Sequence, residues 1–127
     1  MILIIGGAFQ GKKDYALKNF DISENEIYKS GSINDISSHK LVTDYHIIIK
    51  KMMQQNIDPV AFTKTLCLEC KDTVIIMDEI GCGIIPMDRC EREWRETVGR
   101  CGCILARNAE KVIRMICGIP VILKESK

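Results

Sequence analysis

The residues best suited to chemistry lie near the amino end, in the run Gly6-Gly7-Ala8-Phe9-Gln10-Gly11-Lys12. The run has the form G-x-x-x-x-G-K and stands between an apolar stretch, Ile2-Leu3-Ile4-Ile5, and a stretch with helical patterning. A run of this form in that context reads as a phosphate-holding loop, the alternative being a plain glycine turn into a helix. Its glycines let the backbone turn tightly, so successive N–H groups converge on one anion. The helix that opens at its end adds unpaired N–H groups and the positive end of its dipole. Lys12 can then reach the terminal phosphates as a mobile point charge. Gly6 through Lys12, together with Lys13, are the expected nucleotide-binding residues.

The position after the lysine breaks the usual pattern. Such loops ordinarily carry Ser or Thr there, whose hydroxyl binds Mg2+; this chain has Lys13. An ammonium group has no lone pair for a cation and repels it. Three readings stay open: Mg2+ held by other groups and water, phosphate charge neutralised by Lys13 itself, or a loop that has lost catalysis.

A second group of carboxylates follows the apolar run Thr73–Met77. Ligand-binding side chains gather at the carboxyl edge of a parallel sheet, so Asp78 is the expected metal and catalytic residue, orienting Mg2+ or its water. Glu79 is the neighbouring candidate for base or metal group. The alternative is that both carboxylates cap a turn or face solvent. Asp44, after Leu41-Val42-Thr43, reaches the same edge if that run is a strand. Only His39 and His46 are histidines. His46, at the start of a predicted helix, is the candidate phosphate acceptor, weighed against a plain capping or packing role.

The elements that must position these groups alternate between strand and helix. Ile2–Ile5 reads as a strand covered on both faces, and Lys12 to about Phe20 as a helix burying Ala16, Leu17 and Phe20. The polar stretch 21–40 is hard to assign, apart from a short strand at Ile27–Tyr28. Leu41–Thr43 reads either as a strand or as the opening of the next helix. Tyr45, Ile48, Ile49, Met52 and Met53 recur at helical spacing, closed by Asn56. Asp58–Pro59 starts another helix, with Phe62, Leu66 and Cys70 on its buried stripe. Thr73–Met77 is a strand, followed by the turn GCGIIP. Asp88 and Glu91 form a predicted capping box for a helix to about Glu110. Its stripe is Cys90, Trp94, Val98, Cys101, Leu105 and Ala109, and Gly99 inside it hints at a close contact. Lys111–Cys117 and Val121–Lys124 read as the last strands.

Composition narrows the classes. The chain has 127 residues, 46% apolar and 28% charged, with a formal net charge of +1. One domain spanning 1–127 is expected, without global disorder. The balance of charge lacks the basic footprint of a nucleic-acid binder, and Lys50–Lys51 reads as solvated helix face. The MILIIGG start has no basic region before its short apolar run, unlike a signal peptide. No stretch approaches the roughly 18 apolar residues of a membrane span. Seven cysteines, an odd number, read as reduced thiols in the cytoplasm. Cys67–Cys70 and Cys101–Cys103 could supply four zinc ligands, but they fall on predicted helices whose stripes already use Cys70 and Cys101, so they read as core filler.

In order along the chain, GGAFQGK, DEIGCGIIP, REWRETVGR and NAEKVIRMICGIPVILK resemble the landmarks of the adenosylcobinamide kinase/adenosylcobinamide-phosphate guanylyltransferase family. That family shows a GGARSGKS-like loop, an EVGxGIVP segment, an R-x-F-R-D-x-x-G-R helix and an A-D-x-V…GxPxxxK ending. The resemblance covers a little over half the chain. It implies an α/β fold with a three-layer, mostly parallel sheet of the P-loop nucleoside triphosphate hydrolase type, RecA-like. It also implies ATP or GTP with Mg2+ as cofactors and phosphoryl transfer to the adenosylcobinamide hydroxyl in cobalamin biosynthesis. Glu79, Gly81, Gly83 and Pro86 resemble the EVGxGIVP element. Arg92, Arg95, Gly99 and Arg100 resemble the arginine-containing helix, which implies a substrate-binding role for the three arginines; from charge alone Arg92 and Arg95 read equally well as solvated helix face. The chain departs from the family at Lys13 and at Cys103, where the family commonly has Asn. Its stretch between the first helix and the Asp78 strand is shorter and lacks the family's R-x-x-x-H-type segment, whose histidine takes the guanylyl group. Two functions therefore stand: a kinase of this family without the guanylyltransferase step, or a catalytically reduced nucleotide-binding or regulatory protein. Self-association into a homo-oligomer is expected from apolar helix surface left by the shortened middle.

Overall fold

The apolar run at the amino end forms β1 (Ile2–Gly6) in the interior of a sheet. The computed structural model describes residues 1–28, 31–80 and 88–126. Among these, six strands form one sheet in the order β2-β3-β4-β1-β5-β6. Parallel neighbours flank β1 on both sides: β4 (Val74–Asp78) and β5 (Lys111–Ile116). Beyond β4 lie β3 (Leu41–Val42) and β2 (Ile27–Tyr28), also parallel. The last strand, β6 (Ile119–Glu125), runs antiparallel to β5 and closes that edge. Pro120 is accommodated there because an edge strand can leave one side of its ladder unpaired.

Register decides what meets at the carboxyl edge. Gly6 stands opposite Asp78 on one side and Met115 on the other. The loop that leaves β1 therefore begins level with the aspartate that ends β4.

Both faces of the sheet are covered at β1 and β4, which is why those strands are apolar without alternation, whereas β6 is exposed along nearly its whole length. Leu3, Ile75, Met77 and Val112 pack with side chains of α2 (Tyr45–Gln54), α3 (Pro59–Glu69) and α4 (Arg89–Asn108). Ile4, Val74, Ile76, Ile113 and Met115 pack on the other face with Ala16 of α1 (Lys12–Asn19). The alternation of Leu3 and Ile4 between the two cores follows from the two-residue period of a strand.

Local signals explain the helix boundaries. Asp58 accepts hydrogen bonds from the N–H groups of Val60 and Ala61, ahead of Pro59 at the first helical position of α3. Asn56, just beyond α2, takes a left-handed φ of 57°, as a residue after a helix end commonly does. Two short 3-10 turns lie on either side of β2, Glu24–Glu26 and Ile33–Ser38, and the second buries Ile33 and Ile36. Leu41–Val42 resolves as strand.

Three local expectations are corrected. Asp88 caps α4 through the Cys90 N–H, but Glu91 turns to Lys50 (3.7 Å) and completes no capping box. Cys90 is exposed, because the apolar stripe of α4 begins a turn later at Trp94 and continues through Val98, Cys101, Leu105 and Ala109. Gly99 meets nothing: a Cβ built there finds no atom within 4 Å. The turn GCGIIP, residues 81–86, lies outside the described residues.

Candidate functional site

Gly6 must be glycine for two reasons. Its φ is 154°, and a Cβ there would stand 2.7 Å from the Met115 carbonyl oxygen on the neighbouring strand. The chain then turns through Phe9, exposed at a left-handed φ of 61°, to Gly11 at φ 82°. Gly11 precedes α1 and has no side chain to cap it. The first-turn N–H groups of α1 are thus left for an anion. Gln10 braces the loop from outside, its Oε1 accepting from the Cys117 N–H in the β5–β6 turn.

The loop forms one wall of a cleft of about 610 Å3. Lys12, Lys13, Thr43, Asp44 and Asp78 line it with the loop residues. Parallel pairing of β3, β4 and β1 brings these groups from distant sequence positions to the same edge.

Lys12 is buried, with 7% of its surface exposed. Its Nζ donates to the Gly7 carbonyl oxygen at 2.6 Å and lies 2.9 Å from Asp78 Oδ1. A buried ammonium needs such partners, since desolvation without them is costly. On the other side of Asp78 stands His46, in the first turn of α2. The Asp78 N–H donates to His46 Nδ1 at 3.1 Å, and His46 Nε2 lies 3.5 Å from Asp78 Oδ2. Burial lowers the His46 pKa from its ordinary value; the charges of Asp78 and Asp44 oppose that shift and Lys12 adds to it. The His46 backbone is tied in turn to α4, its carbonyl accepting from Trp94 Nε1 at 2.8 Å. Lys50 lies over the Trp94 ring, 4.7 Å from its centroid.

Asp44 precedes α2 in a left-handed conformation (φ 55°), and its carboxylate makes no capping bond. Asp44, His46 and Asp78 offer one ligand atom each within 4.8 Å of one another. Among the described residues this is the grouping close enough to hold a metal ion. Carboxylate oxygens are the ligands that Mg2+ takes, so the two aspartates fit that cation.

Sequence reasoning named Lys12, Asp78 and His46 separately, and the fold brings them into contact. Glu79 faces elsewhere: Arg114 of β5 holds it with a fork of two contacts, Nε to Oε1 at 3.0 Å and Nη2 to Oε2 at 3.1 Å. Arg92 and Arg100 are exposed on α4, and Arg100 pairs with Glu96 at 3.1 Å. Arg95 is half-buried on the same helix. None of the three arginines is among the residues that line the cleft. Gly81, Gly83 and Pro86 lie outside the described residues. Arg114, Gln10 as a brace, and the Trp94 tie escaped the sequence reading. A lone charge inside the apolar run KVIRMI was the only hint of Arg114. The thiols of Cys67, Cys70 and Cys101 are buried, and burial raises the pKa of each, as core fillers require. No described helix is long and apolar enough to cross a membrane.

A family model for cobinamide kinase / cobinamide phosphate guanyltransferase matches residues 34–123. That span holds Asp44, His46 and Asp78, and the loop 6–12 precedes it. The bifunctional adenosylcobalamin biosynthesis protein CobU of Salmonella typhimurium is 32% identical to the chain over 68 residues, 53% of this chain and 38% of the relative. The matched stretch thus spans well under half the length of that relative.

Proposed function

Because the chain belongs to the cobinamide kinase / cobinamide phosphate guanyltransferase family, we propose that it is a nucleotide-dependent phosphotransferase whose acceptor is the hydroxyl of adenosylcobinamide. The observation that carries this reading is the placement of Lys12 against Asp78 at the root of an uncapped, glycine-rich loop. Residues 1–127 act here as one nucleotide-binding unit of the P-loop, RecA-like type. A central loop strand with parallel neighbours on both sides supports that assignment.

In the reaction, loop amides from Gly6 to Lys12 hold the phosphates of ATP or GTP. Lys12 leaves Asp78 for the terminal phosphate and offsets charge as it builds there. The acceptor oxygen bonds to the γ-phosphorus, the bond to the bridging β,γ-oxygen breaks, and the hydroxyl proton passes to solvent or a nearby carboxylate. Mg2+, when bound by Asp44 and Asp78, neutralises phosphate charge. Arg92, Arg95 and Arg100 are assigned to the acceptor by family likeness. Glu79, engaged with Arg114, positions the strand edge rather than the phosphates. The guanylyl step is not assigned to this chain.

Lys13 supports a second reading, a nucleotide-binding or regulatory protein with little turnover. It is exposed, lines the cleft, and stands where a Mg2+-binding hydroxyl is usual. Transfer of labelled γ-phosphate to cobinamide from ATP and from GTP separates the two. Labelled product supports the kinase; saturable nucleotide binding without product supports the second reading. Absence of binding to either nucleotide, with and without Mg2+, refutes both.

A further inference from the structure

Both ring nitrogens of the His46 imidazole face one residue. A backbone N–H can only donate, so the 3.1 Å contact from the Asp78 N–H makes His46 Nδ1 an acceptor. In the neutral ring the single proton then resides on Nε2, the nitrogen 3.5 Å from Asp78 Oδ2. A protonated Nε2 has no lone pair in the ring plane for a metal or a phosphorus atom. The nitrogen with a lone pair is already occupied.

From this geometry we infer that His46 is a positioning residue: it orients Asp78 from both its backbone and its carboxylate side, and it leaves the cation to the oxygens of Asp44 and Asp78. This inference rests on the cation-binding reading of the cleft given above. It replaces the role of phosphate acceptor for His46, and it makes the cation site an all-oxygen one that favours hard ions.

The surroundings of the ring are built for a fixed orientation. Its residue is buried, its carbonyl is held by Trp94 Nε1 at 2.8 Å, and its ring lies 6.4 Å from the Trp94 ring. Asp78 is divided in consequence, with Oδ1 on Lys12 and Oδ2 facing His46. Outer partners of this kind commonly set metal affinity by 10- to 100-fold.

Two measurements on the full chain test the assignment. Nitrogen-15 NMR of the metal-free protein, simplified by a total of two histidines, reads the tautomer directly. An Nε2–H tautomer for His46 supports the inference, and an Nδ1–H tautomer overturns it. Electron spin-echo spectroscopy of the Mn2+-loaded protein reads the ligands. Absence of directly bonded nitrogen supports the inference, and a coupling assigned to His46 by labelling overturns it. His46→Asn keeps an acceptor near the Nδ1 position, and His46→Gln keeps a donor near Nε2. Each is expected to hold Mn2+ more tightly than His46→Ala, which should lose about 10- to 100-fold in affinity. Equal affinity across all four proteins overturns the positioning role. Failure of the unaltered protein to bind Mn2+ refutes the cation reading of the cleft, and the tautomer still decides what His46 does to Asp78.

Discussion

Neutralising Asp78 tests how the loop lysine is held. At 2.9 Å the Lys12–Asp78 pair has a gross attraction of about 6 kcal/mol for an effective dielectric of about 20. Desolvation takes back much of this, because Lys12 is only 7% exposed and Asp78 23%. The net coupling should fall at about 2 kcal/mol, between exposed pairs, worth at most about 1, and fully buried ones. Asp78→Asn leaves the Lys12 ammonium with neutral acceptors only and should destabilise by about 2–3 kcal/mol. Lys12→Met should cost less, because Asp78 keeps water and its His46 contacts. Urea unfolding of the parent, both single variants and the double variant gives the coupling as a cycle, provided the slope with denaturant stays constant. Saturating nucleotide should shrink it, since Lys12 is then drawn to phosphate. A coupling within about 0.5 kcal/mol of zero in the nucleotide-free protein would refute the reasoning.

Four single substitutions carry further outcomes. Gly6→Ala drives a Cβ against the Met115 carbonyl and should destabilise by more than about 2 kcal/mol, whereas Gly99→Ala, in an open helix interior, should stabilise by up to about 1 kcal/mol; thermal unfolding of the two compares them. Trp94→Phe removes the donor to the His46 carbonyl and should cost about 1–3 kcal/mol, and an unchanged denaturation midpoint contradicts the tie between α4 and α2. His46 has a folded pKa below its ordinary 6.5, so the unfolded chain binds the extra proton. Its stabilising effect is present above that value and is lost as pH falls through the folded pKa. The acid side of the stability–pH curve should therefore be shallower in His46→Asn, and identical slopes contradict the buried neutral ring.

Much of the site was legible because its signals are local. Gly6, Gly11 and Lys12 announce a loop by their own conformational freedom and charge, and Asp78 is found by asking what ends the next apolar run. Asp58–Pro59 fixed a helix start through two backbone bonds within three residues. The errors came where a local pattern had to be completed by something distant. Gly99 suggests a close contact because its cost to a helix is intrinsic, but whether another element approaches it depends on how α4 lies. Glu91 has the right spacing for a capping box, yet Lys50 of α2 competes for it and wins.

Amino-acid order alone determined that strands and helices alternate, that the first strand is covered on both faces, and that a glycine-rich turn into a helix follows it. These follow from hydrophobic period, glycine and proline stereochemistry and the dipole of one helix, all short-range causes. Tertiary structure alone decided which groups share the edge: parallel pairing set Gly6 level with Asp78, β3 delivered Asp44, and α2 turned His46 onto Asp78 across 32 residues of chain. Hydrogen bonds and charges act over a few ångströms in space, and sequence distance carries no record of which of them will be neighbours.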